Sequence, residues 1–260
     1  MRFSIAMLPR LILAALTVTI VTAILAPPLI LISLLTASGG PAFRIMVWWS
    51  WWVSKAMGLT FSIKGSEKIV PGTSYIITPN HQGNADILAL VQTLPLRFRW
   101  VTKKSLLKIP LFGWALGGTG AISIDRANRE AAVRSLKEGT RKLAGGWSIL
   151  IYPEGTRSPD EYVQPFKKGP FMMAVQTGIS ILPVTCNGAF RIMPKKTILF
   201  RSGHITVTVG DPIPTAGLTE QDVPALMEKT RSDMLRHLEP DYDPFGTQQP
   251  SVRTGAAKPI

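Results

Sequence analysis

The sequence predicts an α/β protein, with a mixed, largely parallel sheet flanked by helices and preceded by an N-terminal membrane-associated two-helix motif. Three observations carry this. From residue 60 onward, short β-branched and aromatic runs alternate with helix-period runs, the pattern of strand–helix crossovers. Before residue 60 the chain is far more apolar, with no charged residue from Leu11 to Leu35. Finally, a net charge of +13 and a pI of about 10.2 coexist with a mean hydropathy of +0.20. Basic charge alone suits nucleic acid, anionic membrane or an acidic substrate; joined to net hydrophobicity it favours the membrane. The expected organisation is an anchor over 1–59, a folded α/β domain over 60–239, and a Pro- and Gly-rich polar tail over 240–260, predicted to be disordered.

Arg2 and Arg10 precede the apolar run, which exceeds the roughly 20 residues a bilayer span needs. Pro27-Pro28 predicts an interruption, and Ser38-Gly39-Gly40-Pro41 a turn. The second segment, Ala42 to Leu59, carries Trp48, Trp49, Trp51 and Trp52, suited to a membrane interface. The run is too long for a cleaved signal peptide and for an ordinary core helix. A single span and a hairpin dipping into one leaflet both remain open, since arginines flank the first run on both sides.

Within the α/β domain the elements follow in order. Phe61–Lys64 alternates as a strand; Ser74–Ile77 is a second, followed by a helix from Ala85. Arg97–Thr102 and Ala121–Ile124 are strands, separated by the glycine-rich bend Gly117–Gly120. Asn128 caps a helix to about Ala144. Trp147–Tyr152 is a strand, Gly169–Gln176 a helix ended by Gly178, Ile179–Thr185 a strand through Pro183, and His204–Val209 a late strand. Thr219 caps a final helix to Leu238. Cys186 is the only cysteine, so an intrachain disulfide and a thiolate zinc site are excluded. His81, His204 and His237 lie far apart, without metal-ligand spacing.

Chemistry concentrates on loops that follow predicted strands, where open α/β sheets build their sites. In Thr78-Pro79-Asn80-His81-Gln82-Gly83-Asn84-Ala85-Asp86, His81 sits on a strand-to-helix turn, with Asn84 as candidate cap. Asp86 sits in the first helical turn, at the positive end of the helix dipole. A carboxylate beside an imidazole fixes its tautomer, so His81 becomes a candidate general base with Asp86 as its orienter. The competing structural reading is a turn histidine and a capping aspartate that never meet. Three further loops carry cations: Lys103-Lys104, Asp125-Arg126, and Glu154-Gly155-Thr156-Arg157. Arg157 can grip a phosphate through two parallel hydrogen bonds, and Lys104 or Lys103 adds a point charge. Gly155 lets backbone amides approach an oxyanion, Thr156 adds a hydroxyl, and Glu154 can accept from a hydroxyl or hold Arg157.

These motifs, in this order, resemble the glycerolipid acyltransferase family, and within it the 1-acylglycerol-3-phosphate acyltransferases. Asn80–Asp86 resembles its first block. Lys103–Leu107 with Ile109–Gly113 resembles the stretch that follows, and Gly120–Arg126 the second block. Tyr152–Ser158 resembles the third, with Tyr152 where phenylalanine is more usual. Leu182-Pro183-Val184 resembles the short fourth. The resemblance covers about residues 60 to 215. It implies that His81 deprotonates the hydroxyl of a lysophospholipid, which attacks an acyl-CoA or acyl-carrier-protein thioester without an acyl-enzyme. Asp86 aligns the imidazole, and Lys104, Arg126, Glu154, Gly155, Thr156 and Arg157 bind the acceptor. No cofactor or metal is expected. The setting implied is the inner membrane, with the catalytic domain on its cytoplasmic side; oligomeric state and acyl-chain length are not encoded.

The chain lacks a Gly-x-Ser-x-Gly elbow, which argues against an α/β-hydrolase. Two other readings compete: an O-acyltransferase for another lysolipid such as a lyso-aminolipid, and a non-catalytic protein of the membrane surface. Nucleic acid is not an expected partner, because no recognition element interleaves basic and aromatic residues.

Overall fold

The computed structural model describes residues 8–36, 39–124 and 146–238. The expected helix from Asn128 to Ala144 and the expected tail lie outside them. The strands are β1 (Leu59–Lys64), β2 (Ile76–Pro79), β3 (Phe98–Lys103), β4 (Ile122–Ile124), β5 (Ser148–Leu150), β6 (Ile181–Asn187) and β7 (Gly203–Val209). They form one sheet in the order β1-β7-β6-β2-β5-β3-β4. The β6-β2-β5-β3-β4 stretch is parallel throughout; β7 runs antiparallel to β6, with β1 parallel to β7 at the edge. The expected mixed, largely parallel sheet is therefore present.

The central strands are covered on both faces, so they read as continuous apolar runs rather than as alternation. Ile76 pairs with Ile149 and with Ile181, and all three face one core. Ile77, Leu150 and Leu182, one step along each strand, face the other. The first core is covered by α5 (Gly169–Thr177) and α7 (Val223–Arg236). The second is covered by α2 (Gly40–Met57) and α3 (Ala85–Thr93), with α1 (Leu8–Leu35) outside α2 and against α4 (Phe112–Gly118). A short α6 (Ala189–Ile192) follows β6. The final helix starts later than Thr219 predicts. A reciprocal cap between Thr219 and Asp222 closes a 3-10 turn, and the α-helix begins at Val223, with Pro224 in its first turn.

α1 and α2 run antiparallel. Trp49 Nε1–H donates to Thr22 Oγ1 at 2.9 Å, and Gly58, the C-cap of α2, lies against Arg10 near the start of α1. α1 is long and apolar enough to cross a membrane, with most of its surface exposed. Contrary to expectation, it continues through Pro27 and Pro28. The two prolines are adjacent, so the missing N–H groups fall in a single turn, and packing on α2 and α4 holds the chain helical across it. α2 is joined to the sheet domain. Phe43 meets Phe98 and Trp147 edge-on, at 5.3 and 5.8 Å between centroids. Gln92 Nε2–H donates to Ser50 Oγ and Ser54 Oγ.

The glycine-rich bend before β4 has a packing reason. Gly120 has φ +79°, and a Cβ there would lie 1.6 Å from Nη1 of Arg99. Arg99 is buried with its guanidinium 4.4 Å from the centre of the Trp147 ring. Gly120→Ala is expected to cost about 2 kcal/mol from the left-handed backbone and the displaced guanidinium. In thermal unfolding that is a drop of about 4–8 °C. Gly117→Ala in α4, where a Cβ meets nothing within 4 Å, is the matched control and should lose nothing.

Candidate active site

β2 delivers the His81 turn to the carboxyl end of the sheet. The Asn80 side chain continues the strand pairing past Pro79: its Oδ1 accepts from Cys186 N–H at 2.7 Å and its Nδ2–H donates to Cys186 O at 3.1 Å. His81 is then held on both sides of its backbone. Its N–H donates to Glu154 Oε1 and its carbonyl accepts from Ser158 N–H, each at 2.7 Å. The Gln82 side-chain amide donates to Glu161 O. At Gly83 a Cβ would lie 2.6 Å from Ala189 O, so only glycine lets the turn pass α6.

His81 and Asp86 meet. Asp86 is fully buried, and its Oδ2 accepts from His81 Nδ1–H at 2.9 Å, Gln82 N–H at 2.9 Å and Gly83 N–H at 3.1 Å. One carboxylate oxygen thus fixes both the imidazole and the turn that carries it. With Nδ1 occupied, Nε2 is the acceptor, on a side chain 14% exposed. Asn84 precedes α3 without a side-chain capping bond. The imidazole stacks on Tyr152, centroids 3.7 Å apart and planes 14° apart, and Trp100 stacks beyond it at 6.3 Å.

Glu154 departs from its expected place. Its side chain is buried, with Oε1 on His81 N–H and Oε2 accepting from Gln164 N–H at 3.0 Å. Among the described residues it neither holds Arg157 nor faces open space. Burial raises its pKa from an ordinary 4.5 to about 8; the two amides and the Arg231 guanidinium oppose that rise, and Asp86 adds to it. Arg231, which also donates to Gln164 O at 3.1 Å, went unread in the sequence because it lies on α7, far from every motif.

The other predicted residues fall on the same edge of the sheet. Ile77, Leu150 and Trp100 are in register on β2, β5 and β3, so the loops after them share the carboxyl end. Gly155, at φ +72°, and the exposed Thr156 lie on the β5 loop. Arg157 is half-buried on that loop and forms no ion pair among the described residues; its carbonyl accepts from Lys195 Nζ at 2.8 Å. Lys195 was not foreseen either, because only the fold brings it to this loop. Lys103 and Lys104 are exposed where β3 enters a 3-10 turn, two strands from β2. Arg126 and Asp125 lie outside the described residues. Among the described residues no three His, Cys, Asp or Glu side chains are grouped to hold a metal.

Two outcomes follow from this geometry. Between about pH 4.5 and 8 the unfolded Glu154 ionises while the folded one stays protonated, so this group's contribution to stability falls as pH rises, by up to about 1.4 kcal/mol per unit. Thermal unfolding should therefore show a midpoint that declines across this window in the native chain and is flatter in Glu154→Gln. The Tyr152 hydroxyl is buried without a hydrogen-bond partner among the described residues. Tyr152→Phe, which keeps the ring under His81, should leave the unfolding midpoint unchanged or raised.

Known proteins carry the same framework. The acyltransferase family model matches residues 60–187. Human 1-acyl-sn-glycerol-3-phosphate acyltransferase alpha is 34% identical over 179 residues, 68% of this chain and 63% of the human protein. The Saccharomyces cerevisiae 1-acyl-sn-glycerol-3-phosphate acyltransferase is 33% identical, over 72% of this chain and 63% of its own length. An uncharacterized acyltransferase of Schizosaccharomyces pombe is 32% identical over 196 residues, 74% of this chain and 70% of that protein. The chain thus spans a little under two thirds of the human and Saccharomyces relatives. The crystal structure of the 1-acyl-sn-glycerophosphate (LPA) acyltransferase PlsC from Thermotoga maritima superposes with a TM-score of 0.71 at 26% identity, covering 87% of this chain and 94% of that one. With the motifs, the sheet and these relatives in agreement, the chain belongs to the acyltransferase family.

Proposed function

We propose that the protein transfers an acyl chain from a thioester, acyl-CoA or acyl-carrier protein, to the free hydroxyl of 1-acylglycerol-3-phosphate, forming phosphatidic acid. The observation that carries this reading is the His81 Nδ1–H bond to the buried Asp86 carboxylate, which leaves Nε2 as the ring's acceptor, the proposed base. Nε2 takes the acceptor's proton as its oxygen attacks the thioester carbonyl. Asp86 stabilises the imidazolium that forms. Collapse of the tetrahedral intermediate breaks the C–S bond, and the imidazolium returns the proton to the departing thiolate. The substrate's own hydroxyl is the nucleophile, so no acyl-enzyme and no cofactor are invoked.

Arg157, with no ion pair among the described residues, is the proposed bidentate phosphate ligand. Lys104 adds charge from the β3 loop, Gly155 and Thr156 add donors, and Arg126 is assigned by resemblance alone. Glu154 acts one step back, holding the His81 backbone. We place the 1–59 segment at the membrane as the anchor and 60–239 as the catalytic unit on the cytoplasmic side, where thioester donors are made. The names of the relatives support the acceptor; the apolar, exposed α1 supports the membrane.

The test is an acyl-transfer assay in detergent micelles with radiolabelled oleoyl-CoA and three acceptors: lysophosphatidate, glycerol-3-phosphate and a phosphate-free lysolipid. Product on lysophosphatidate is expected. His81→Ala should lower the rate by about 10²- to 10⁴-fold, and Arg157→Ala should raise KM for the phosphorylated acceptor. Product only on the phosphate-free lysolipid would retain the His81 chemistry and overturn the phosphate assignment. Absence of product from both acyl-CoA and acyl-carrier protein would overturn the transferase reading.

A further inference from the structure

The segment between β3 and β4 carries a surface that the proposed chemistry does not use. After β3 the chain makes a 3-10 turn over Lys104–Lys108, then a tight turn at Leu111, where Phe112 N–H donates to Pro110 O at 2.7 Å. Leu111 adopts φ 59° and ψ −62°, a backbone that side-chain-bearing residues rarely hold. Its neighbours are apolar yet turned outward: Leu106, Ile109, Phe112 and Trp114 are between 37 and 56% exposed. Isolated exposed leucines are ordinary on any surface. A run of five large apolar side chains within nine residues, Leu111 included at 38% exposed, on a short loop with its own turn, is not.

Two further facts say what covers this run. The first is continuity. α4 packs on α1: Gly118 lies where a Cβ would be 2.8 Å from Ser33 Oγ and 2.9 Å from Leu29 Cδ2, and Phe112 lies beside Trp49. The apolar loop therefore lies beside the α1–α2 pair, and α1 itself is mostly exposed. The second is charge. From Ile87 to Ile124 there is no acidic residue, while Lys103, Lys104 and Lys108 are all exposed. Apolar side chains bordered by lysines, with carboxylates absent, suit the boundary between anionic headgroups and acyl chains rather than a protein partner.

We propose that residues 105–114 form a second membrane-contacting element, which enters the headgroup boundary of an anionic bilayer alongside α1. Ile109, Leu111, Phe112 and Trp114 reach the acyl region, and Lys108 stays at the phosphates. The element begins where β3 ends, on the same end of the sheet as His81. Its immersion holds the mouth of the site at the bilayer surface, so a lysolipid acceptor enters from the leaflet without crossing water. This proposal rests on α1 being a membrane segment, and the experiment separates the two.

Full-length protein would carry one nitroxide-labelled cysteine at a time, in Leu13→Cys on α1, Ile109→Cys on the loop, and Glu228→Cys on α7, across the sheet. Cys186 is buried and takes no label. In vesicles of phosphatidylcholine and phosphatidylglycerol, collisions with oxygen report acyl chains and collisions with a water-soluble nickel chelate report solvent. The proposal expects oxygen to dominate at Leu13→Cys and Ile109→Cys and the chelate at Glu228→Cys. Oxygen at Leu13→Cys with chelate at Ile109→Cys overturns the proposal and leaves α1 in the membrane. Chelate at both overturns the membrane reading as well. A label at Ile109→Cys shielded from both reagents would mean that a protein surface covers the loop, and this also overturns the proposal.

Discussion

One buried carboxyl group ties the site together. Glu154 comes from the loop after β5, yet its two oxygens accept the backbone N–H groups of His81, on the loop after β2, and of Gln164, further along its own chain. Ser158 closes the other side by donating to the His81 carbonyl. His81 is thus held by its backbone between two loops, independently of its side-chain contacts. A buried carboxyl with both oxygens satisfied by amides is a rigid link, since losing either bond would leave a polar group unpaired in an apolar interior. That burial also raises its pKa is a consequence of where it must sit.

Asp86 supplies the complementary constraint. It gathers the imidazole and two turn amides onto a single oxygen, so the geometry of the His81 ring and that of the turn cannot vary separately. Tyr152 then covers one face of the ring, and Trp100 covers Tyr152. Tyr152 is itself two residues from Glu154 on the chain. The β5 loop therefore delivers both the platform under the imidazole and the clamp on its backbone. The parallel sheet makes this possible, because neighbouring parallel strands place their following loops side by side at one end.

The strands were legible because their apolar runs are short and punctuated by glycine, proline and polar loops. His81 and Asp86 were legible as a candidate pair because further polar loops follow the other strands; their spacing of five residues alone left open a histidine and an aspartate that never meet. Glu154 was legible as important but not in its role, since a carboxylate in a Gly-containing turn reads as a ligand-facing group until the partner amides are seen. Tyr152 beneath His81, Lys195 beside Arg157 and Arg231 behind Gln164 are contacts across long sequence separations, which no local pattern contains. α1 exposed the opposite failure. Pro27 and Pro28 argue locally for a break, and the packing of α1 along α2 and α4 overrides them.

The apolar surface and the chemistry answer the same physical problem. A thioester beside an activated base is open to water as well as to an alcohol, and water is far more abundant. The imidazole has one face covered by Tyr152 and its backbone bonded to Glu154 and Ser158; on the proposed reading a nucleophile reaches Nε2 from the open end of the sheet. If that end rests on a bilayer, the hydroxyl that arrives there belongs to a lipid, at a local concentration that bulk solution cannot match. A surface whose largest apolar side chains point outward would be a liability in a soluble protein. On the proposed reading this surface lies against the bilayer, beside the helices that open the chain, and gives the acceptor its route.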